Sequence, residues 1–344
     1  MSKKITFPRD ENAHNLIVEW WYLNGNLEDK KGNSYAFMDC LFRVHPKIVD
    51  KIPRLAKRHI YFSHWVFSDI KKRKFDYSTS PVIVSNDSFN KKLLYIKYKK
   101  FLPLKIINSK FEEISPFIYR LNSGPLDLTL ISQKKPLLEG KKGYVHLNTK
   151  STYYYSLTNL KATGTIKIGK KQIPVQGKVW LDHQWANSGA SLDKWIWFSI
   201  QLDNNTEIVC FEFDDKKVKT RYAGLIDRNN KTSHTSNITF TSNKHSYKSK
   251  TTGSTYPLTW KIKIPKLKAN LTIKPMIRHQ EVIFANINYW EGPTTVSGTL
   301  KSKKVKGKGF MELVGFPRNK SLLKIYTQVG KQIIKDNIKR RIKS

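Results

Sequence analysis

Two separate strand-and-turn signals each occur twice along this chain, in the same order, and that recurrence limits its fold more than any other feature. The opening signal is Glu19-Trp20-Trp21-Tyr22, then a strand, a turn and a strand ending near Phe42. Its echo is Lys194-Trp195-Ile196-Trp197, then a turn and residues 208–213. The closing signal is Ala162-Thr163-Gly164-Thr165-Ile166-Lys167, a turn, then Gly177-Lys178-Val179-Trp180. It returns as Val296-Ser297-Gly298-Thr299-Leu300-Lys301, a turn, then Gly307-Lys308-Gly309-Phe310. A pattern repeated in order reads as two copies of one unit. The length of 344 residues agrees, since single cores stop growing near roughly 250–300 residues. We divide the sequence into a first unit over 1–188, a second over 189–318 and a tail over 319–344, with the junction near 186–193.

Between these signals, short runs alternate apolar and polar residues with period two and are rich in β-branched and aromatic side chains. Residues 26–33, 168–171, 202–205 and 226–231 each join two such runs as an antiparallel hairpin would. The pattern predicts an all-β meander. Closing such a sheet removes its edges and leaves an interior for side chains or one ligand, so two tandem antiparallel β-barrels are expected. The tail differs. Leu322, Ile325, Tyr326, Val329, Ile333 and Ile334 fall at helical spacing among many Lys and Arg, interrupted by Gly330. It reads as a basic amphipathic helix, either packed on a barrel or in peripheral contact with an anionic membrane.

A formal charge of +37 would attract phosphates, but lysine is spread through nearly every segment and no nucleic-acid motif accompanies it. The charge is read as solvated surface, and nucleic acid is not the expected partner. Cys40 and Cys210 each lie in an apolar run, which predicts reduced, buried thiols. The first residues lack a signal-peptide core, and no run approaches the roughly 20 apolar residues of a membrane span, so a cytoplasmic location is expected. Phosphate-cradling Gly loops, a Gly-x-Ser-x-Gly elbow and paired metal-ligand spacings are missing, so neither a cofactor nor a metal is expected.

The densest cluster of chemistry is Trp180-Leu181-Asp182-His183-Gln184-Trp185. Asp182 could hold the His183 imidazole in one tautomer or share a proton with it, and burial against indoles would raise its pKa towards that of a general acid. Inter-domain structural hydrogen bonding is the other reading of this pair. Glu19 precedes the aromatics Trp20, Trp21 and Tyr22, and Tyr289-Trp290-Glu291 forms a similar carboxylate-aromatic cluster. His64 stands in a strand-like run, and Glu212 is a carboxylate inside an apolar strand that needs a partner or a raised pKa if it points inward.

At these residues the chain resembles the AttH-like family, which includes the carotenoid 1,2-hydratases. The resemblance rests on His14 with Glu19-Trp20-Trp21-Tyr22-Leu23-Asn24-Gly25, on Leu41-Phe42-Arg43, and on Tyr153-Tyr154-Tyr155-Ser156-Leu157-Thr158. It continues through Gly177 to Trp185, Trp195-Ile196-Trp197-Phe198, Tyr289-Trp290-Glu291-Gly292 and Gly309 to Phe316. It implies two tandem lipocalin-like, calycin-type barrels and an apolar ligand: an isoprenoid, a polyene or a lipid. In the hydratases an acid protonates an alkene and water captures the cation without a cofactor. Other relatives are proposed to fold polyenes for cyclisation. By that resemblance Asp182 or Glu212 would be the acid and His183 its partner or the base for water. Trp20, Trp21, Tyr22, His64, Trp185, Trp195, Trp197, Tyr289, Trp290 and Glu291 would line the ligand path. Phe211 and Glu212 stand where those hydratases carry a Tyr-Asp pair. A non-catalytic lipid or isoprenoid carrier using the same cavity is the alternative.

Overall fold

The computed structural model describes residues 4–45, 59–84, 92–102, 105–147, 150–187, 194–215, 218–243 and 246–341. The first half forms one antiparallel sheet. Its strands are β1 (Val18–Asp29), β2 (Ser34–Val44), β3 (Ile60–Asp69), β4 (Lys74–Val84), β5 (Tyr95–Leu102) and β6 (Lys105–Ser115). They continue as β7 (Ile118–Ser123), β8 (Leu126–Ser132), β9 (Leu137–Leu138), β10 (Tyr144–Leu147), β11 (Lys150–Ile168) and β12 (Lys171–Ala186). Ten of them close into a barrel, because β11 pairs with β12 along one edge and with β8 along the other. The closure uses only Leu160–Ile166 of β11. Beyond a register shift at Leu157/Leu160, the strand leaves β8 and takes β9 and β10 as its partners.

The second half forms a separate sheet from β13 (Lys194–Leu202), β14 (Glu207–Asp214), β15 (Lys219–Ile226), β16 (Thr232–Thr235) and β17 (Thr239–Ser242). After a detached ribbon of β18 (Ser246–Lys248) and β19 (Thr255–Pro257), it resumes with β20 (Trp260–Ile264) and β21 (Ala269–Pro275). It ends with β22 (Glu281–Phe284), β23 (Ile287–Leu300) and β24 (Lys303–Val314). A second closed barrel is expected from the repeat, yet this ladder runs open from β16 to β17. Both edge strands are four residues long, and at their junction the Asn237 N–H donates to Thr235 Oγ1 rather than to a ladder partner. The sheet still curls around one core: Phe198 of β13 packs on Phe240 of β17 and Trp260 of β20, far along the ladder.

The two sheets are built on one plan, down to equivalent residue pairs. Ala162 pairs with Gly177 in the first and Val296 with Gly307 in the second. Gly164 and Gly298 share an unusual φ, 155° and 153°, and a Cβ at either would stand about 2 Å from a carbonyl oxygen of the adjoining strand. Only glycine permits so close a strand approach. Alternation then gives each strand two faces. Trp21, Leu23 and Leu27 of β1 enter the first core, while Tyr22 joins a third cluster between the sheets with Met38, Cys40, Val66, Trp180, Trp197, Phe211 and Tyr289.

The tail contains the helix α1 (Leu322–Arg341). Ile325 is buried and the Tyr326 hydroxyl donates to the Ala285 carbonyl, so its first turns dock beside the β22–β23 turn. The side chains of Ile333 and Ile334, and the junction 188–193, lie outside the described residues. Among the described residues no helix is long and apolar enough to cross a membrane.

Candidate functional site

The space between the sheets gathers residues that are distant in sequence. Tyr22 donates to Glu291 (2.9 Å), Tyr289 Oη meets His64 Nδ1 (2.6 Å), and Trp197 Nε1 donates to Tyr154 Oη (3.2 Å). Tyr22, His64, Trp197 and Phe211 each keep 7–8% of their surface and Glu312 is half-buried, so this cluster between the sheets, the crevice, is not wholly sealed. The half-buried aromatics Trp20, Phe42, Phe62, Trp195 and Phe284 continue the lining.

The crevice inherits the twofold plan of the chain. Tyr22 lies opposite Asp182 in the first sheet, and Trp197 lies opposite Glu312 in the second. Ser156 is the cross-strand partner of Asp182, as Glu291 is of Glu312. Asp182 and Glu312 are thus equivalent positions of the repeat, brought together because the two outer faces pack on each other.

Their electrostatics depart from those of surface carboxylates. Asp182 accepts from Tyr154 Oη (2.5 Å), Ser156 Oγ (2.6 Å) and Trp180 Nε1 (2.6 Å). Burial nevertheless lifts its pKa to about 6 against those three bonds. Burial lifts Glu312 to about 7; the Trp195 indole opposes the shift and the charge of Asp182 adds to it. Glu291 is raised well above the usual range by burial and then by the charge of Glu312. His64, desolvated, is pushed down to about 3 and is therefore neutral at pH 7. The crevice offers carboxylic acids with neutral donors and aromatic faces around them. That is the equipment for delivering a proton to an apolar group and screening a transient cation.

Of the residues singled out from sequence, Trp20, Tyr22, His64, Asp182, Trp195, Trp197, Tyr289 and Glu291 face this crevice. The others do not. Asp182 and His183 are neighbours on β12, so their side chains leave on opposite faces, and His183 points into the first barrel. There it stacks on Trp21 (4.7 Å) and meets Glu19 Oε1 at 3.0 Å. The expected Asp-His couple is therefore not formed. Trp185 also faces the barrel interior, stacked on His14 at 3.9 Å. Trp290 is sealed in the second core, its indole donating to the Arg278 carbonyl. Glu212 shares its face with Cys210, not Phe211, and is paired with Arg221 Nε at 2.7 Å. It has the partner it needs and does not serve the crevice.

Inside the first barrel, donor atoms of His14, Glu19 and His183 lie within 4.8 Å of one another. Glu19 accepts there from both imidazoles and from the His14 main-chain N–H, and the Arg43 guanidinium lies 3.3 Å from its second oxygen. Burial alone would raise this carboxylate, but its histidine partners outweigh it and hold Glu19 below the ordinary range. Its lone pairs and charge are already met by protein groups, so we read the cluster as a hydrogen-bonded ion network.

Sequence reasoning missed Glu312, Tyr154, Ser156 and Glu139. The repeat contained the signal for the first: aligning Gly177 with Gly307 sets Asp182 on Glu312. Glu139 sits in a 3-10 turn between β9 and β10 and nothing in its local sequence marks it.

A family model described as AttH-like matches residues 1–316. Dehydratase asqC of Emericella nidulans is 27% identical over 203 residues, 55% of this chain and 57% of that protein. Kievitone hydratase of Fusarium solani subsp. phaseoli is 23% identical over 197 residues, 55% of this chain and 56% of that protein. The match thus spans little more than half the length of either relative. A solved structure, a candidate AttH from Nitrosomonas europaea, is similar with a TM-score of 0.76 at 25% identity, covering 92% of this chain and 98% of that one.

Proposed function

The chain belongs to the AttH-like family, and from that premise we propose that the inter-sheet crevice adds water to, or removes it from, an apolar substrate by acid-base catalysis. The observation that carries this reading is the pair of repeat-equivalent carboxyl groups, Asp182 and Glu312, facing one aromatic crevice with pKa values raised to about 6 and about 7. Unequal environments for two nearby acids separate their roles. Glu312, met by one indole, is the proton donor; Asp182, held by three hydrogen-bond donors, is the base.

In the hydration direction the Glu312 carboxyl proton goes to one alkene carbon, and the π pair forms the new C–H bond. Water adds to the cation, and its surplus proton passes to the Asp182 carboxylate. Dehydration runs the same steps backwards, with Asp182 protonating the leaving hydroxyl. Trp20, Trp195 and Trp197 bury the apolar body of the substrate and shield the cation. The relatives named as a dehydratase and a hydratase support the reaction class.

The test is turnover in H2¹⁸O against a panel of isoprenoid and phenolic alkenes and their hydrated forms, read as gain of one labelled water or loss of one unlabelled water. Glu312→Gln and Asp182→Asn should each lower kcat/KM by about 10²–10⁴-fold, the range for removing a positioned acid or base. Binding of an apolar fluorescent probe should stay unchanged. Wild-type protein that binds such molecules tightly and converts none would leave a carrier function instead.

A further inference from the structure

A second line of hydrogen bonds runs away from Asp182 and towards the surface. Ser156 Oγ lies 2.6 Å from Asp182 Oδ1 and 3.1 Å from Glu139 Oε1. The other oxygen of Glu139 lies 2.6 Å from Tyr222 Oη, which lies 2.6 Å from His234 Nδ1. His234 is half-buried on β16, an edge strand of the second sheet, whereas Asp182, Ser156 and Glu139 are buried. We propose that Ser156, Glu139, Tyr222 and His234 form a proton wire joining Asp182 to solvent behind the crevice.

Hydrogen counting supports this. The serine and tyrosine hydroxyls carry one hydrogen each, so neither can donate to both of its neighbours in the line. With Asp182 ionised, every link is satisfied only if Glu139 is a neutral acid and the whole line points one way. In the inward state His234 Nδ1–H donates to Tyr222, Tyr222 to Glu139, Glu139 to Ser156 and Ser156 to ionised Asp182. In the outward state each bond is reversed and Asp182 holds the proton. The states differ by one proton, which enters or leaves at His234 Nε2. No bond other than O–H and N–H changes, and no co-reactant is needed.

The surroundings are built for this line. Gly224, opposite His234, leaves space for Glu139: a Cβ there would stand 2.4 Å from Oε2. The Gly140 N–H donates to Tyr222 Oη at 2.8 Å and fixes the hydroxyl. Burial pushes Glu139 up to about 8, and the charge of Asp182 adds to it. Burial first, then the charges of Lys141 and Lys266, hold His234 down at about 4, so it is neutral and takes a proton only in passage.

The role rests on the reaction proposed above. After each hydration Asp182 holds a proton it must lose, while a bound product covers the crevice. The wire removes it from behind.

Rapid transfer of the protein from H2O to D2O, followed by infrared spectroscopy of the carboxylic-acid C=O stretch, tests the wire without any substrate. Glu139→Gln should delete one protonated band at pH 7. In the wild type and in Ser156→Ala that band should shift to its deuterated position quickly, since Tyr222 and His234 still connect Glu139 to solvent. Ser156→Ala/Tyr222→Phe should slow the shift at least tenfold, and Ser156→Ala/His234→Phe, altered at the rim, should do the same. Near-native ultraviolet circular dichroism identifies variants that keep the fold. The wire is overturned if Glu139→Gln removes no protonated band, or if the double variants exchange as fast as the wild type. Absence of turnover on every substrate, with these exchange results intact, overturns the hydratase reading and leaves the wire standing.

Discussion

The interior of the first barrel and the crevice between the sheets both bury carboxyl groups, but they treat them in opposite ways. In the barrel two of them are given cationic partners: Asp39 meets Lys100 Nζ at 2.8 Å, and Glu19 has the Arg43 guanidinium at 3.3 Å beside its hydrogen bonds with His14 and His183. In the crevice Asp182, Glu139, Glu291 and Glu312 are met by hydroxyl and indole groups. A neutral donor cannot offset the desolvation of a charge as a cation does, so Asp182, Glu312 and Glu139 hold their protons to higher pH than Glu19 does. Glu11 obeys the same rule from inside the barrel. Its neighbours are Tyr119 and the carboxylate Glu113, and burial pushes it up to about 9. The comparison separates holding a fold from storing a proton.

The largest expected effect would break the barrel side of this contrast. Lys100→Met leaves Asp39 buried without its cation and should destabilise the protein by about 3–5 kcal/mol, measured by chemical denaturation. Lys100→Met/Asp39→Asn should recover much of the loss, and failure to do so would show that the pair is not the source.

The next effect separates the regions by pH. Asp182, Glu312 and Glu139 have folded-state pKa values raised to about 6, 7 and 8. Their protonated forms stabilise the fold fully below the ordinary carboxyl values, and that contribution is lost as pH rises through each raised value. Stability should therefore fall between about pH 4 and pH 8, by at most about 1.4 kcal/mol per pH unit for each group. Glu19 has the opposite sign, because its depressed value withdraws stability as pH falls. Glu312→Gln should flatten the slope from about pH 4.5 to 7; an unchanged slope there would show that Glu312 is ionised.

Smaller still, Glu312→Gln at pH 7 should change stability by less than about 1 kcal/mol, since an amide replaces a group that is partly uncharged there. A loss as large as that of Lys100→Met would erase the distinction between the two regions. The smallest effect is expected outside both. Deleting residues 327–344 keeps the docked Ile325 and Tyr326 and should leave apolar-probe binding within about twofold of the full chain. A larger change would place the end of the helix in the crevice's business.

The sequence by itself determined the strands, the turns, the tail helix and the twofold plan. Each follows from local alternation, turn residues or helical spacing, and the recurrence of Gly164 as Gly298 and Gly177 as Gly307 reports positions where strands approach too closely for a side chain. It also marked eight of the crevice residues through their aromatic and acidic clusters. Local sequence does not say which face of a strand turns inward, because a period of two is the same pattern in either phase. Only tertiary packing chose the phase that sends Asp182 to the crevice and His183 to the barrel. Packing alone also brought Glu139 and Glu312 to Asp182, and withheld from the second sheet the last pairing between β16 and β17. A carboxyl group's charge, and so its chemistry, depends on what surrounds it after the two sheets meet.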